Sequence, residues 1–371
     1  MTTDRAGLYV HIPFCLKKCD YCDFCSYVGV SPDVRRRYID ALIREIHSYK
    51  REPLTVLDTV FFGGGTPTLL TPDELSRICA AIRESFDTTS VSEFTVEANP
   101  KTLDKEKCLA LCAQGVNRIS IGVQSVHGNE LRALGRVHSY GDFLESFRLA
   151  KEYFDNISVD VMYGIPEQTP ESFKETLEAL CALDIKHISV YGLMLEEGTP
   201  LYTSHVSLNM PSEDEECDMY YLAADFLKKA GFTHYEISNY AKDGWQSRHN
   251  LGYWRMQDYI GVGLTAASCF DSKRYVNTAD FEEYFKADFT NYNRSTDECD
   301  GQYEYAMLAL RLKDGISLSD YRERFGTDFT LGKEEKIREY SDKGLLNTES
   351  GRLHLTEKGF YVSNYILSEL L

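Results

Sequence analysis

Residues 11–27 read HIPFCLKKCDYCDFCSY and carry four thiols, Cys15, Cys19, Cys22 and Cys25, spaced C-x3-C-x2-C-x2-C. In a reducing compartment, thiols this close on one short segment point to a metal or catalytic site rather than a disulfide framework. Two centres compete for them. Structural zinc wants four thiolate or imidazole ligands in a closed tetrahedron. An iron–sulfur cube also takes thiolates, and it can work with three and leave one iron open. Spacing alone does not decide between them. The remaining cysteines, at 79, 108, 112, 181, 217, 269 and 299, are scattered in mostly apolar or helical contexts and read as small buried hydrophobes.

Other stretches carry groups able to bind a ligand. FFGGGTP (61–67) has three consecutive glycines, which let backbone approach a ligand closely and adopt positive φ. Glu97 in TVEANP, Gln124 in SIGVQS, Arg136, and Asp160 in SVDVMYGIP are polar groups at or near the ends of apolar runs. One such residue is ordinarily a cap; four on one predicted rim beside a cysteine cluster are harder to set aside. RHNLGYW (248–254) places an imidazole beside two large aromatics. Imidazole is a good iron ligand, and aromatic rings pack on porphyrin faces. A lone histidine is more often a satisfied core residue. His11 reads equally as structural or functional.

The elements that must position these groups alternate strand and helix. Strands are predicted at 8–12, 59–63, 93–98, 118–123, 157–164 and 187–194, each rich in β-branched or aromatic residues. Helices are predicted at 33–50, 73–86, 104–114, 140–154, 170–183 and 213–230, several opened by cap or proline signals such as Ser31-Pro32, Thr71-Pro72 and Thr169-Pro170. This alternation predicts an α/β fold with parallel strands and right-handed crossovers, here an open, partial (β/α)6 TIM-like barrel. Such barrels hold their chemistry at the C-terminal strand ends, where the cysteine cluster and the polar rim both fall. Residues 231–290 read as an irregular, aromatic-rich extension. Residues 291–371 read as a small, mainly helical, winged-helix-like domain with a ribbon at LLNTESGRLHLT.

Composition narrows the function classes. With 58 acidic and 40 basic residues the net charge is −18, which disfavours general nucleic-acid binding. No apolar run approaches the ~18 residues of a membrane span, and the first residues lack a signal-peptide pattern. A cytoplasmic location is expected.

The C-x3-C-x2-C part, with Tyr21 before its last cysteine, resembles the radical SAM superfamily. There three cysteines hold a 4Fe-4S cluster whose fourth iron chelates S-adenosylmethionine. LYVHIPFC, FFGGGTPTLL, TVEANP, RISIGVQS and VDVMYGIPEQT together closely resemble the oxygen-independent coproporphyrinogen III oxidases and the related radical SAM heme chaperones of HemW type, from residue 8 to the C-terminus. The resemblance implies that Cys15, Cys19 and Cys22 bind the cluster. It implies that Tyr9, Gly64, Gly65, Thr66 and Glu97 line S-adenosylmethionine, Thr66 standing where many relatives have glutamate. Tyr21, Gln124, Arg136 and Asp160 match positions that contact a second S-adenosylmethionine in the oxidase.

Three features favour the chaperone over the oxidase. The first cluster cysteine is residue 15, whereas the oxidase has a substantial segment before its cysteines. Phe24 occupies the place of an oxidase cysteine, with Cys25 one residue later. RHNLGYW resembles the HNxxYW motif of the chaperones, which makes His249 the candidate heme ligand with Tyr253 and Trp254 as wall. Ala267 stands where many relatives carry a histidine, and Met194 replaces a small residue of the oxidase lining. The expected function is therefore a heme chaperone that passes heme to an acceptor protein, in solution or at a membrane, with an electron donor serving the cluster. The alternative is anaerobic decarboxylation of coproporphyrinogen III. Cys25 is expected not to ligate the cube.

Overall fold

A computed structural model describes residues 4–271, 273–289, 295–297 and 301–371; of the cysteines, Cys299 lies outside them. Six parallel strands stand side by side in chain order: β1 (Arg5–Ile12), β2 (Val56–Gly64), β3 (Glu93–Ala98), β4 (Arg118–Gln124), β5 (Asn156–Tyr163) and β6 (His187–Gly192). Each is buried along nearly its whole length, as expected of parallel strands covered by helices. The covering helices are Pro32–Ser48, Pro72–Ser85, Lys105–Ala113, Tyr140–Lys151, Pro170–Cys181 and Glu213–Lys229, so the predicted (β/α)6 order is observed.

Local chemistry fixes the helix starts. The Ser31 side chain accepts from Val34 N–H with Pro32 in the first turn. Thr71 and Glu74 form a reciprocal capping box, and Thr169 pairs with Ser172 in the same way. Behind its cap, the 32–48 helix buries Tyr38, Leu42 and Ile46 in the main core, one side of a 3.6-residue repeat.

The segment after 231, irregular in sequence, contributes short strands that extend the barrel sheet at both edges. Asn239–Ala241 pairs antiparallel with β6 and carries Thr233–Glu236 outside it. Tyr259–Val262 runs parallel to β1, followed outward by Ala267–Phe270 and Lys273–Val276. Glu45, fully buried on the first helix, ties this edge down: it accepts from Gly263 N–H (2.8 Å), Asn277 Nδ2 (2.7 Å) and Tyr284 Oη (2.6 Å).

The C-terminal part has its own core. Helices Gly301–Ala309, Leu318–Phe325 and Glu334–Asp342 pack on a ribbon of Leu346–Glu349 and Arg352–Leu355, with Ile316–Ser317 as a third strand. Leu346, Leu353, Tyr321, Tyr340 and Phe360 fill the interior. Among the described residues no helix is long and apolar enough to cross a membrane.

Candidate functional site: a cysteine-walled cavity at the barrel rim

A cavity of about 380 Å³ opens at the C-terminal ends of the strands. Its wall includes Cys15, Cys19, Tyr21 and Cys22 from the turn after β1, Gly64 and Gly65 from the end of β2, and Glu97 from β3. Gln124 of β4, Arg136 and Asp160 of β5 complete the predicted rim. Ten of the thirteen residues singled out in the sequence thus face one space.

The glycines are there first for the protein's own backbone. Gly65 N–H donates to Ile12 O (2.9 Å) and Thr66 N–H to Phe14 O (2.7 Å), docking the β2 loop under the cysteine turn. A Cβ on Gly65 would lie 2.7 Å from Phe14 O and 2.8 Å from Ile12 O, closer than those atoms allow. Gly64 sits at φ +102°, open only to glycine without strain.

Cys25 is turned out of this wall. Its Sγ lies 3.7 Å from Tyr27 Oη, and its carbonyl accepts from His11 Nε2 at 2.8 Å. With Nε2 donating, His11 Nδ1 accepts from Tyr9 Oη at 3.1 Å. Burial lowers the His11 pKa, in keeping with a neutral ring that braces the cysteine turn from below. Three thiols line the wall and one faces away, a set that would suit a three-ligand cluster. The wall also offers what a ligand bearing an amine and a carboxylate needs, namely carboxylates, amides and guanidiniums. The residues present therefore fit a cluster with S-adenosylmethionine beside it. Among the described residues no three Cys, His, Asp or Glu side chains gather closely enough to ligate a single ion.

The carboxylates line the cavity and are half-buried, with protein packed around them. Burial, then Asp160, pushes the Glu97 pKa up to about 8, although Gly64 N–H donates to it at 3.2 Å. Asp160 is likewise raised by burial, while Ser120 Oγ donates to it at 3.2 Å. Buried Arg118 at the start of β4 supplies the positive field between them. Gln124 follows a bulge in β4 at φ +64°, a strained setting for a non-glycine residue and one that clusters at binding sites.

Three expected contacts lie elsewhere. The Tyr9 ring stacks on Phe61 (6.1 Å between centroids), behind the wall. Thr66 is buried beside Cys15, its Oγ1 3.7 Å from Cys15 Sγ. His249 lies in the floor of the barrel, 3% exposed, with Nδ1 2.8 Å from Thr59 Oγ1 and Nε2 2.8 Å from Tyr253 Oη. Its ring stacks on Phe61 at 5.1 Å, and burial, then Arg118, lowers its pKa to about 3. Neither nitrogen is free to meet iron in this arrangement. The helix Arg248–Trp254 that carries it is capped by Ser247 and by Glu93, which accepts from the N–H groups of Arg248 and His249.

Sequence reasoning missed Asn99, Arg118, Ser120, Ser189, Tyr191 and Asn250 on the wall. Asn99 and Arg118 had a signal: a polar side chain two residues past Glu97, and an arginine opening an apolar strand. Met194 stands on the wall as well, 69% exposed.

Comparisons with known proteins bear on this geometry. The family model for the radical SAM superfamily matches residues 9–180, and that for the HemN C-terminal domain matches residues 302–362. The heme chaperone HemW of Lactococcus lactis is 37% identical, covering 98% of this chain and 96% of that protein. HemW of Bacillus subtilis is 35% identical, covering 98% of each. The mitochondrial radical S-adenosyl methionine domain-containing protein 1 of Bos taurus is 33% identical over 100% of this chain and 88% of its own. Among solved structures, coproporphyrinogen III oxidase (HemN) from Escherichia coli superposes with a TM-score of 0.83 at 23% identity, covering 99% of this chain and 90% of that one, a likeness of fold.

Proposed function

We propose that this chain, which belongs to the HemW heme chaperone family of radical SAM proteins, binds heme and passes it to an acceptor protein. Cys15, Cys19 and Cys22 hold a 4Fe-4S cluster, and the glycine loop with Glu97 receives S-adenosylmethionine. The observation that carries the cluster reading is the three-plus-one division of the cysteines, with Cys25 bonded away from the cavity. The heme reading rests on full-length likeness to proteins named heme chaperone. A cluster held by these three cysteines and fed by an electron donor would supply one-electron reduction of S-adenosylmethionine.

This chain's own residues bind and orient. Burial disfavours charge on Glu97 and on Asp160, and a cationic group entering between them favours it. The apolar floor of Phe61 shields the cavity from below. Iron coordination by His249 requires one of its hydrogen bonds to open, and Nε2, held only by Tyr253 on the same short helix, is the nitrogen that opens with least rearrangement.

The test is a hemin titration of anaerobically purified protein carrying about four irons per chain. A stoichiometric Soret shift and transfer to an apo-hemoprotein support the reading. No shift, or protein that holds zinc in place of iron, rejects it.

A further inference from the structure

A chain of polar contacts runs along the cavity wall from one cysteine to another. Arg136 Nη1 donates to Cys19 Sγ at 3.4 Å, and its Nη2 donates to Asn99 Oδ1 (2.7 Å) and Gly122 O (2.6 Å). Asn99 Nδ2 donates to Thr66 Oγ1 at 2.8 Å, and Thr66 Oγ1 lies 3.7 Å from Cys15 Sγ. The chain therefore begins at one wall cysteine and ends at another.

A guanidinium only donates, so Asn99 turns its oxygen to Arg136 and its NH2 to Thr66, whose hydroxyl accepts. A cluster-bound cysteine is a thiolate with no proton to give, so in the loaded protein the Thr66 hydroxyl is the donor to Cys15. Both ends of the chain then donate to sulfur. The geometry points to a further role: Thr66, Asn99 and Arg136 form a directed bridge of positioning residues that stabilises negative charge on Cys15 and Cys19, and so raises the reduction potential of the cluster those cysteines hold. Hydrogen bonds and positive charge at thiolate sulfurs favour the more electron-rich state of an iron–sulfur centre. The inference rests on the cluster reading above.

The test is a potentiometric titration of the iron-loaded full-length protein with redox mediators, followed by electron paramagnetic resonance of the reduced cluster. Thr66→Val removes the donor to Cys15 and keeps the shape; it lowers the midpoint by about threefold in the reduction equilibrium. Thr66→Ser restores the hydroxyl and the wild-type value. Asn99→Asp can only accept, so it draws the Thr66 proton away from Cys15 and neutralises Arg136. Its midpoint falls further, by about tenfold, which for one electron is ~59 mV. Midpoints equal to wild type in Thr66→Val and Asn99→Asp at equal iron content overturn the bridge. If Asn99→Asp does not load iron, the Thr66→Val and Thr66→Ser pair decides. Wild-type protein that takes up no cluster overturns the functional reading instead.

Discussion

The rings of Phe61 and His249 lie nearly parallel, 23° apart, with centroids 5.1 Å from one another. Phe61 forms part of the cavity floor, so the imidazole is separated from the cavity by one aromatic layer. Tyr253 holds it from the other side. If heme iron takes His249 Nε2, Tyr253→Phe frees that nitrogen. One neutral hydrogen bond contributes about 1 kcal/mol net, so Tyr253→Phe tightens hemin binding about fivefold, whereas His249→Ala abolishes the Soret shift. Unchanged binding in both variants removes His249 from heme ligation.

Cys25 and Cys22 are expected to behave differently on substitution. Cys25→Ala keeps a full complement of iron, since its thiol faces Tyr27. Cys22→Ala loses the cluster, as do Cys15→Ala and Cys19→Ala. Iron and sulfide content with the visible absorption of the cluster measures this, and equal loss in Cys25→Ala contradicts the three-ligand assignment.

Glu97 gives the ligand-free protein a pH signature. Its pKa is raised from an ordinary 4.5 to about 8. Between these values the native state keeps a proton that the unfolded chain has released, so stability falls as pH rises through the window. Glu97→Gln removes that slope. At pH 8 the ligand-free variant is more stable than wild type by a few kcal/mol, judged by ~1.4 kcal/mol per unit, and the difference closes below pH 4.5. The same variant binds S-adenosylmethionine at least tenfold more weakly. Denaturant melts across pH with isothermal titration check both halves.

Glu45 anchors the 259–284 segment to the first helix through three buried donors. Glu45→Leu leaves the Gly263 N–H, the Asn277 amide and the Tyr284 hydroxyl without that partner. The expected loss is at least 3 kcal/mol, read as a lower denaturation midpoint, while the cysteine turn still loads iron.

The six barrel strands and their helices were legible because each strand is an apolar, β-branched run and each helix carries its own cap, as at Thr71 and Thr169. Strands 233–236, 239–241 and 259–262 were not. At three or four residues they are too short to display a period, and what makes them strands is pairing with β6 or β1, far away in sequence. Most of the cavity wall was legible because polar residues at C-terminal strand ends share one rim. What the motifs could not supply was direction. Tyr9 and Thr66 sit in the right stretches yet turn toward His11 and Asn99, and His249 sits in an iron-binding pattern yet is sealed by Thr59 and Tyr253. The donor chain through Asn99 was not legible, since Thr66 and Asn99 follow β2 and β3 while Arg136 comes from beyond a helix after β4.

The most direct measurement of the central claim is anaerobic incubation of the cluster-loaded protein with coproporphyrinogen III, S-adenosylmethionine and a low-potential reductant. A heme chaperone forms no protoporphyrinogen over many hours, while the same preparation binds hemin one to one. Turnover of coproporphyrinogen to protoporphyrinogen contradicts the account and assigns the cavity to porphyrin oxidation.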